Sequence, residues 1–351
     1  MITYVAIFLA ALAFAIGATP VAKKVAVVVG VVDKPGPRKL HTKAMPMLGG
    51  VAIYAASILA VVIFSDHQYV SQLVGILIGA TVVSFLGVWD DRWGLRPVLK
   101  LIGQVAAAAV IVMSGIQVEF LRNPLLNAVV TVLWIVGITN AMNLLDNMDG
   151  LSGGVAAVAA GFFFLLAAGS GQFLVASLAA ATVGACLGFL RYNFNPATIF
   201  MGDTGSLFLG FLLSVIAIKL RFANLDLITW TVPVLVLGVP IFDTTLVVVS
   251  RLRRGLNPLS TPGKDHVSHR LVYLGLTQRE AVMALYLTCG ALGMTAMFIS
   301  KASVIEAAMI DTLVVVGAIA ALVKLEQIAV PPPTQDTGGM RVAYKEDSDA
   351  G

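Results

Sequence analysis

Long apolar runs broken by short polar clusters fill the chain from residue 2 to residue 323. A bilayer's hydrocarbon core of about 30 Å needs about 20 apolar residues in a helix. By that measure the pattern predicts eleven spans, at 2–20, 48–64, 70–88, 98–114, 125–141, 152–169, 172–190, 205–218, 228–249, 281–299 and 304–323. The first run resembles a secretion signal, but it lacks a basic start and Lys23 and Lys24 follow it at once. It is therefore read as a retained helix. Pro240, inside 228–249, predicts a kink there. The expected fold is an all-α polytopic integral membrane protein, with residues 1–330 as one transmembrane domain. After a proline stop, residues 331–351 read as a disordered cytoplasmic tail.

Composition agrees with a lipid-embedded chain. The 351 residues are 58% hydrophobic and 12% charged, whereas soluble domains average about 45–50% apolar and about 25% charged. The two cysteines, Cys186 and Cys289, lie far apart in apolar runs. They form neither a disulfide framework nor a zinc pattern, and are read as packing residues.

Charge supplies the orientation. When the connectors are sorted alternately, 19 of the 23 Lys and Arg fall on one side and 4 on the other. The positive side is cytoplasmic by the positive-inside rule. An odd number of spans then puts the N-terminus outside and the C-terminus inside. All five polar clusters fall on that cytoplasmic side: "DKPGPRKLHTKAMPMLGG" (33–50), "WDDRWGLRPVLK" (89–100), "NAMNLLDNMDG" (140–150), "FMGDTGSLFLG" (200–210) and "RLRRGLNPLSTPGKDHVSHRL" (251–271).

Each cluster allows a plain reading and a chemical one. Asp90 and Asp91 end a span beside Arg92, Arg96 and Lys100. They are either a solvated cap or a mixed-sign patch, where carboxylates hold a hard divalent cation and cations hold phosphate oxygens. Asn140, Asn143, Asp146 and Asp149 recur every third residue, which stacks them on one helix face. They are either a polar contact between helices or functional groups facing the bundle interior. Gly202 and Gly205 flank Asp203 and allow backbone amides close to an anion. Asp243 sits in an apolar run, as a helix joint or as support for a site. His266 and His269 lie beside Lys264 and Arg270. Without a third ligand, this favours a phosphate or sugar contact over zinc. His41 accompanies Arg38 and Lys39. Oxygen-rich side chains ringed by cations suit Mg²⁺ or Mn²⁺ and a polyphosphate, with a lipid as the second substrate.

The "DD" at 90–91 with Lys100, "NAMNLLDNMDG", "FMGDTGS" and the His-x-x-His-Arg loop occur in this order. Together they resemble the polyprenyl-phosphate N-acetylhexosamine-1-phosphate transferases, the MraY/WecA/TagO family. The likeness runs from about residue 33 to 275. The early "DKPGPRKLH…MPMLGG" resembles the WecA/TagO branch. The resemblance implies that a polyprenyl phosphate attacks the β-phosphorus of a UDP-N-acetylhexosamine and releases UMP, at a multi-pass site facing the cytoplasm from the plasma membrane. It implies Asp203 as a Mg²⁺ ligand with Asn143 or Asp146 nearby, and Asp90 and Asp91 near the lipid phosphate or metal. Lys100 and Arg270 would hold the diphosphate, Asp149 the nucleoside end, and His266 and His269 the sugar-phosphate region. Arg38, His41, Asn140, Gly150 and Lys264 complete the expected substrate contacts. The partners expected are the bilayer, the polyprenyl phosphate and the UDP-sugar; no nucleic acid is expected, and a homodimer is left open.

One feature departs from the family pattern. Relatives in this branch read His-Ile-His-His where this chain has "HVSH", with Ser268 in the middle. MraY relatives carry a run of His there, so a MurNAc-pentapeptide donor is disfavoured and GlcNAc is expected first. A transporter is the rival of another class, but transporters place ionisable groups near the bilayer midplane. A lipid phosphatase would need a Ser-Gly-His element, which is absent.

Overall fold

All eleven predicted runs are helical in the computed structural model, which describes residues 1–33, 44–64, 69–119, 121–222, 226–258, 261 and 263–328. Arg38, His41 and the 331–351 tail lie outside the described residues. In chain order the helices are α1 (Ile2–Val29), α2 (Gly49–Phe64), α3 (Val70–Trp93), α4 (Pro97–Met113), α5 (Pro124–Leu145), α6 (Leu151–Gly169), α7 (Phe173–Asn193), α8 (Gly202–Lys219), α9 (Asp226–Val236), α10 (Gly238–Arg253), α11 (Val267–Tyr273), α12 (Gln278–Ile299) and α13 (Val304–Glu326). Among the described residues, eight helices are long and apolar enough to cross a bilayer, and a ninth span forms if the bent α9–α10 pair counts as one. Helices α2 and α4 are apolar but shorter. The protein is a multi-pass membrane protein.

Three details differ from the hydropathy reading. First, α1 runs past Lys23 and Lys24 to Val29. Charge ends a membrane span, not a helix, and lysine is a good helix former. Second, the 228–249 run is two helices bent by 75°. Pro240 has no N–H to offer the carbonyl one turn back, so the Val236 carbonyl is left over, and the Cys289 thiol lies 3.8 Å from it. Third, the chain is not purely helical. Strand β1 (Val32–Asp33) pairs antiparallel with β2 (Met45–Pro46), Val32 opposite Pro46. Phe200 N donates to Pro46 O at 2.8 Å and Gly49 N to Phe200 O at 3.0 Å, so this small ribbon pins the entries to α2 and α8 together.

Helix α8 is the centre. Some 89% of its apolar stretch is buried, packed against α2, α3, α5, α6 and α7. At the periphery, α13 has one buried residue, Ala307. Apolar side chains exposed on such helices, as Leu287 and Leu313 are, face lipid and carry no desolvation cost.

Candidate active site

The C-terminal turns of α3 and α5 meet the N-terminal turns of α4 and α8 at one end of the bundle. A helix N-terminus leaves its first amides without partners, and in α8 no side chain of its own caps them. Asp91 does so from α3. Its carboxylate accepts Asp203 N at 2.8 Å, Thr204 N at 3.1 Å and Thr204 Oγ1 at 2.8 Å. Gly202 has φ 71°, and a Cβ there would sit 2.6 Å from Asp91 Oδ2. Glycine therefore makes room for the acid. The sequence suggested a ligand anion at these amides; in the fold the anion is Asp91.

Asp203 is consequently held at the start of the most buried helix. Asn143 Nδ2 donates to Asp203 Oδ1 and to Ser206 Oγ, both at 2.9 Å. Lys100 Nζ bonds to Asp203, to Asp90 Oδ2 at 2.9 Å and to Asn143 Oδ1 at 3.3 Å. Asp90 Oδ1 accepts Leu95 N at 2.6 Å, which fixes the turn between α3 and α4. The end of α3, the opening of α4, the end of α5 and the GDTG turn thus form one network. Ser206 and Thr204 belong to it and were not singled out, because hydroxyls in an apolar helix give no charge signal.

Asp146 follows α5 and is half-buried. Among the described residues its carboxylate has no hydrogen-bond partner. Burial, then the charges of Asp203, Asp91 and Asp149, push its pKa up to about 8. An acid without a partner among acids has the character of a cation ligand. Among the described residues no three His, Cys, Asp or Glu form a ready cage. Mg²⁺ does not need one, since it is commonly held by one or two carboxylates plus substrate phosphates and water. Asp203 and Asp146, with the Asn143 amide beside them, fit that ion.

Asp149 Oδ2 accepts Asn195 Nδ2 at 3.1 Å and Ala197 N at 2.9 Å. Two expected substrate contacts are placed differently. Gly150, at φ 78°, caps α6; its N–H donates to Asn193 Oδ1 at 3.0 Å and its carbonyl accepts Tyr286 OH at 2.5 Å. Its polar groups are thus taken up by the fold. Asn140 pairs amide to amide with Gln104, at 2.5 and 3.3 Å, and joins α4 to α5.

His269 is in α11, a seven-residue helix that hydropathy did not reveal, and His266 is its N-cap residue. Asp243 Oδ2 lies 2.7 Å from His266 Nδ1, and Asp243 Oδ1 accepts Val267 N at 2.7 Å. The buried acid of α10 is therefore the support for the site, and the sequence had left its role open. Ser268 Oγ donates to Asn147 Oδ1 at 2.6 Å and ties the loop to the residue after Asp146. His269 is half-buried, its ring 6.2 Å from that of His266. Burial, then the charges of His266 and Lys264, push its pKa down to about 4, so it is neutral at pH 7. Lys264 is exposed. Arg270 corrects the sequence reading: it is 1% exposed, and four of its five N–H donors go to Asp265 O, Ser250 Oγ, Leu325 O and Glu326. It is buried inside the fold and does not face a diphosphate.

The model for glycosyl transferase family 4 matches residues 73–221, which include every acid of the network and Lys100. A Bacillus subtilis (strain 168) protein named probable undecaprenyl-phosphate N-acetylglucosaminyl 1-phosphate transferase is 37% identical over 313 residues, 87% of each chain. A Mycolicibacterium smegmatis decaprenyl-phosphate N-acetylglucosaminephosphotransferase is 32% identical over 298 residues, 74% of this chain and 73% of its own. A Yersinia pestis undecaprenyl-phosphate alpha-N-acetylglucosaminyl 1-phosphate transferase is 28% identical over 302 residues, 82% of this chain and 81% of its own.

Proposed function

The chain belongs to glycosyl transferase family 4, and from that membership we infer that it transfers GlcNAc-1-phosphate from UDP-GlcNAc to a membrane polyprenyl phosphate and releases UMP. The observation that carries this reading is the 37% identity over 87% of both chains with the Bacillus subtilis relative. The phosphate oxygen of the lipid attacks the donor's β-phosphorus. The bond from that phosphorus to the UMP oxygen breaks, and UMP leaves with the electron pair. A general base is dispensable, because a phosphate monoester with a second pKa of about 6 is largely ionised at pH 7.

Asp203 and Asp146 would hold Mg²⁺, or Mn²⁺, with Asn143 orienting Asp203. When bound, the ion would screen the phosphate charge and stabilise departing UMP. Lys100 lies between Asp90 and Asp203 and gives its three donors to Asp90, Asn143 and Asp203; a bound phosphate oxygen would take the place of one of them. With Nδ1 fixed by Asp243, His266 has Nε2 left for the sugar-diphosphate. Neutral His269 offers a hydrogen bond rather than a charge. Asp149 lies toward the nucleoside end. The 19:4 division of Lys and Arg supports this end of the bundle in the cytoplasm, an external N-terminus and eleven crossings, and the transferase reading puts the protein in the plasma membrane. There a lipid phosphate and a soluble nucleotide can both reach the acids.

The test offers UDP-GlcNAc, UDP-GalNAc and UDP-MurNAc-pentapeptide in competition, with undecaprenyl phosphate as acceptor, and follows UMP release and lipid product. GlcNAc-diphospholipid should form first. Use of the pentapeptide donor alone would refute the GlcNAc assignment, and absence of any diphospholipid would refute the transferase reading.

A further inference from the structure

Arg270 is the largest fully buried side chain among the described residues. It is in α11, one residue beyond His269. A seven-residue helix does not hold its shape alone, because nucleation costs more than so few hydrogen bonds return. Two anchors hold this one. Asp243 caps its start at Val267, and Arg270 fastens its middle. Nε of Arg270 donates to Asp265 O at 3.0 Å, Nη2 to Ser250 Oγ at 2.7 Å, and Nη1 to Leu325 O.

A buried guanidinium needs a counter-charge. Asp265 is close, but its carboxylate already serves Arg251 at 2.9 and 3.0 Å and Arg254 at 2.6 Å. The charge comes instead from Glu326, the last residue of α13. Its Oε1 lies 2.6 Å from Arg270 Nη2, and its side chain is only 7% exposed. Apart from this knot, α13 is loosely attached, with Ala307 alone buried.

We propose that Glu326 is a positioning residue: through Arg270 it sets the register of α11 against α10, and with it the placement of His266 and His269. A peripheral helix thereby completes the active-site loop. The role assigned to those histidines rests on the transferase reading, but the restraint on the loop does not. Arg253 also reaches Glu326, at 3.2 Å, but is 67% exposed. An exposed ion pair contributes little, so this contact is not the restraint.

The test uses the full chain in detergent or nanodiscs, with Glu326→Gln, Glu326→Ala, Glu326→Asp and Arg253→Ala. Two quantities are read: kcat and KM with UDP-GlcNAc and undecaprenyl phosphate, and the rate of trypsin cleavage after exposed Lys264. Misplacement of reacting groups by about 1 Å costs about 10²-fold. Glu326→Gln should therefore lose about tenfold to 10²-fold in kcat with the lipid's KM unchanged, and should be cut faster at Lys264. Glu326→Asp should recover part of both, and Arg253→Ala should match the wild type. If Glu326→Ala cannot be purified, Glu326→Gln decides. Wild-type kcat and cleavage rate in Glu326→Gln overturn the proposal. A wild-type chain that transfers nothing from UDP-GlcNAc would sink the transferase reading instead, and the cleavage rates would still decide the role of Glu326.

Discussion

Asp243 and His266 lie 2.7 Å apart, carboxylate to Nδ1, and Asp243 is completely buried. One oxygen orients the imidazole and the other caps the helix that bears it. Carboxylates that orient metal-bound histidines contribute about 10–100-fold, and the same orienting role is expected here. Asp243→Asn should lower kcat by about that factor and leave the folded yield near normal, because an amide oxygen still reaches the Val267 amide. A variant with unchanged kcat would show that His266 needs no orientation.

Asp91 caps α8 from 112 residues away in sequence. Loss of a capping acid costs about 0.5–2 kcal/mol. Asp91→Ala should lower the melting temperature in detergent and also activity, since Asp203 sits on the freed turn. Asp91→Asn should melt in between, because its NH₂ would face one of the two backbone donors while its carbonyl oxygen keeps the other. Wild-type melting of Asp91→Ala would exclude the cap.

Asp203→Asn keeps the shape of the side chain and removes its charge. Removal of one electrostatic contact to a transition state costs about 10²–10³-fold in rate. Activity should fall by that order, and the Mg²⁺-dependent rise in melting temperature should disappear. Near-normal rates at saturating Mg²⁺ would exclude Asp203 as an essential ligand.

His269 gives a pH signature. Its folded pKa is near 4, below the unfolded value of about 6.5. Between those values the unfolded chain binds the proton and the folded one does not, so stability falls as pH drops through this window. The melting temperature of the wild type should fall from pH 6.5 to 4 more steeply than that of His269→Gln. Parallel curves would mean that His269 is protonated in the folded state.

The orientation can be checked at Leu274, which is 59% exposed just after α11. Cys186 and Cys289 are both buried, so a cysteine at Leu274 should be the one reactive thiol. It should resist a membrane-impermeant reagent in intact cells and react after permeabilisation. Ready labelling in intact cells would invert the topology.

The apolar helices were legible because lipid requires an apolar run and little else does, although α2 and α4 are shorter than a full span. Helix ends were less so. Lys23 and Lys24 mark where the membrane stops, yet α1 continues to Val29. Pro240 announced a bend, but the break lies at Leu237, next to the Val236 carbonyl that Pro240 leaves without a helical partner. Polar clusters could be assigned to one end, because like charge collects there. Their partners could not, because contacts such as Asp91 with Thr204 or Arg270 with Glu326 cross many helices. Arg270 misled for a specific reason: beside two histidines an arginine reads as a phosphate ligand, and only its burial shows that Glu326 already neutralises it.

Helix α8 also bears on how the protein is made. It is the least apolar of the eight long helices and almost none of it faces lipid. Such a segment gains little by entering the bilayer alone, since translocon insertion depends on apolarity. Its partners α2, α3, α5, α6 and α7 all precede it in the chain. Synthesis therefore delivers the walls before the pillar, and α8 can enter a protein-lined slot instead of bare lipid, bringing Asp203 to a place already prepared for it.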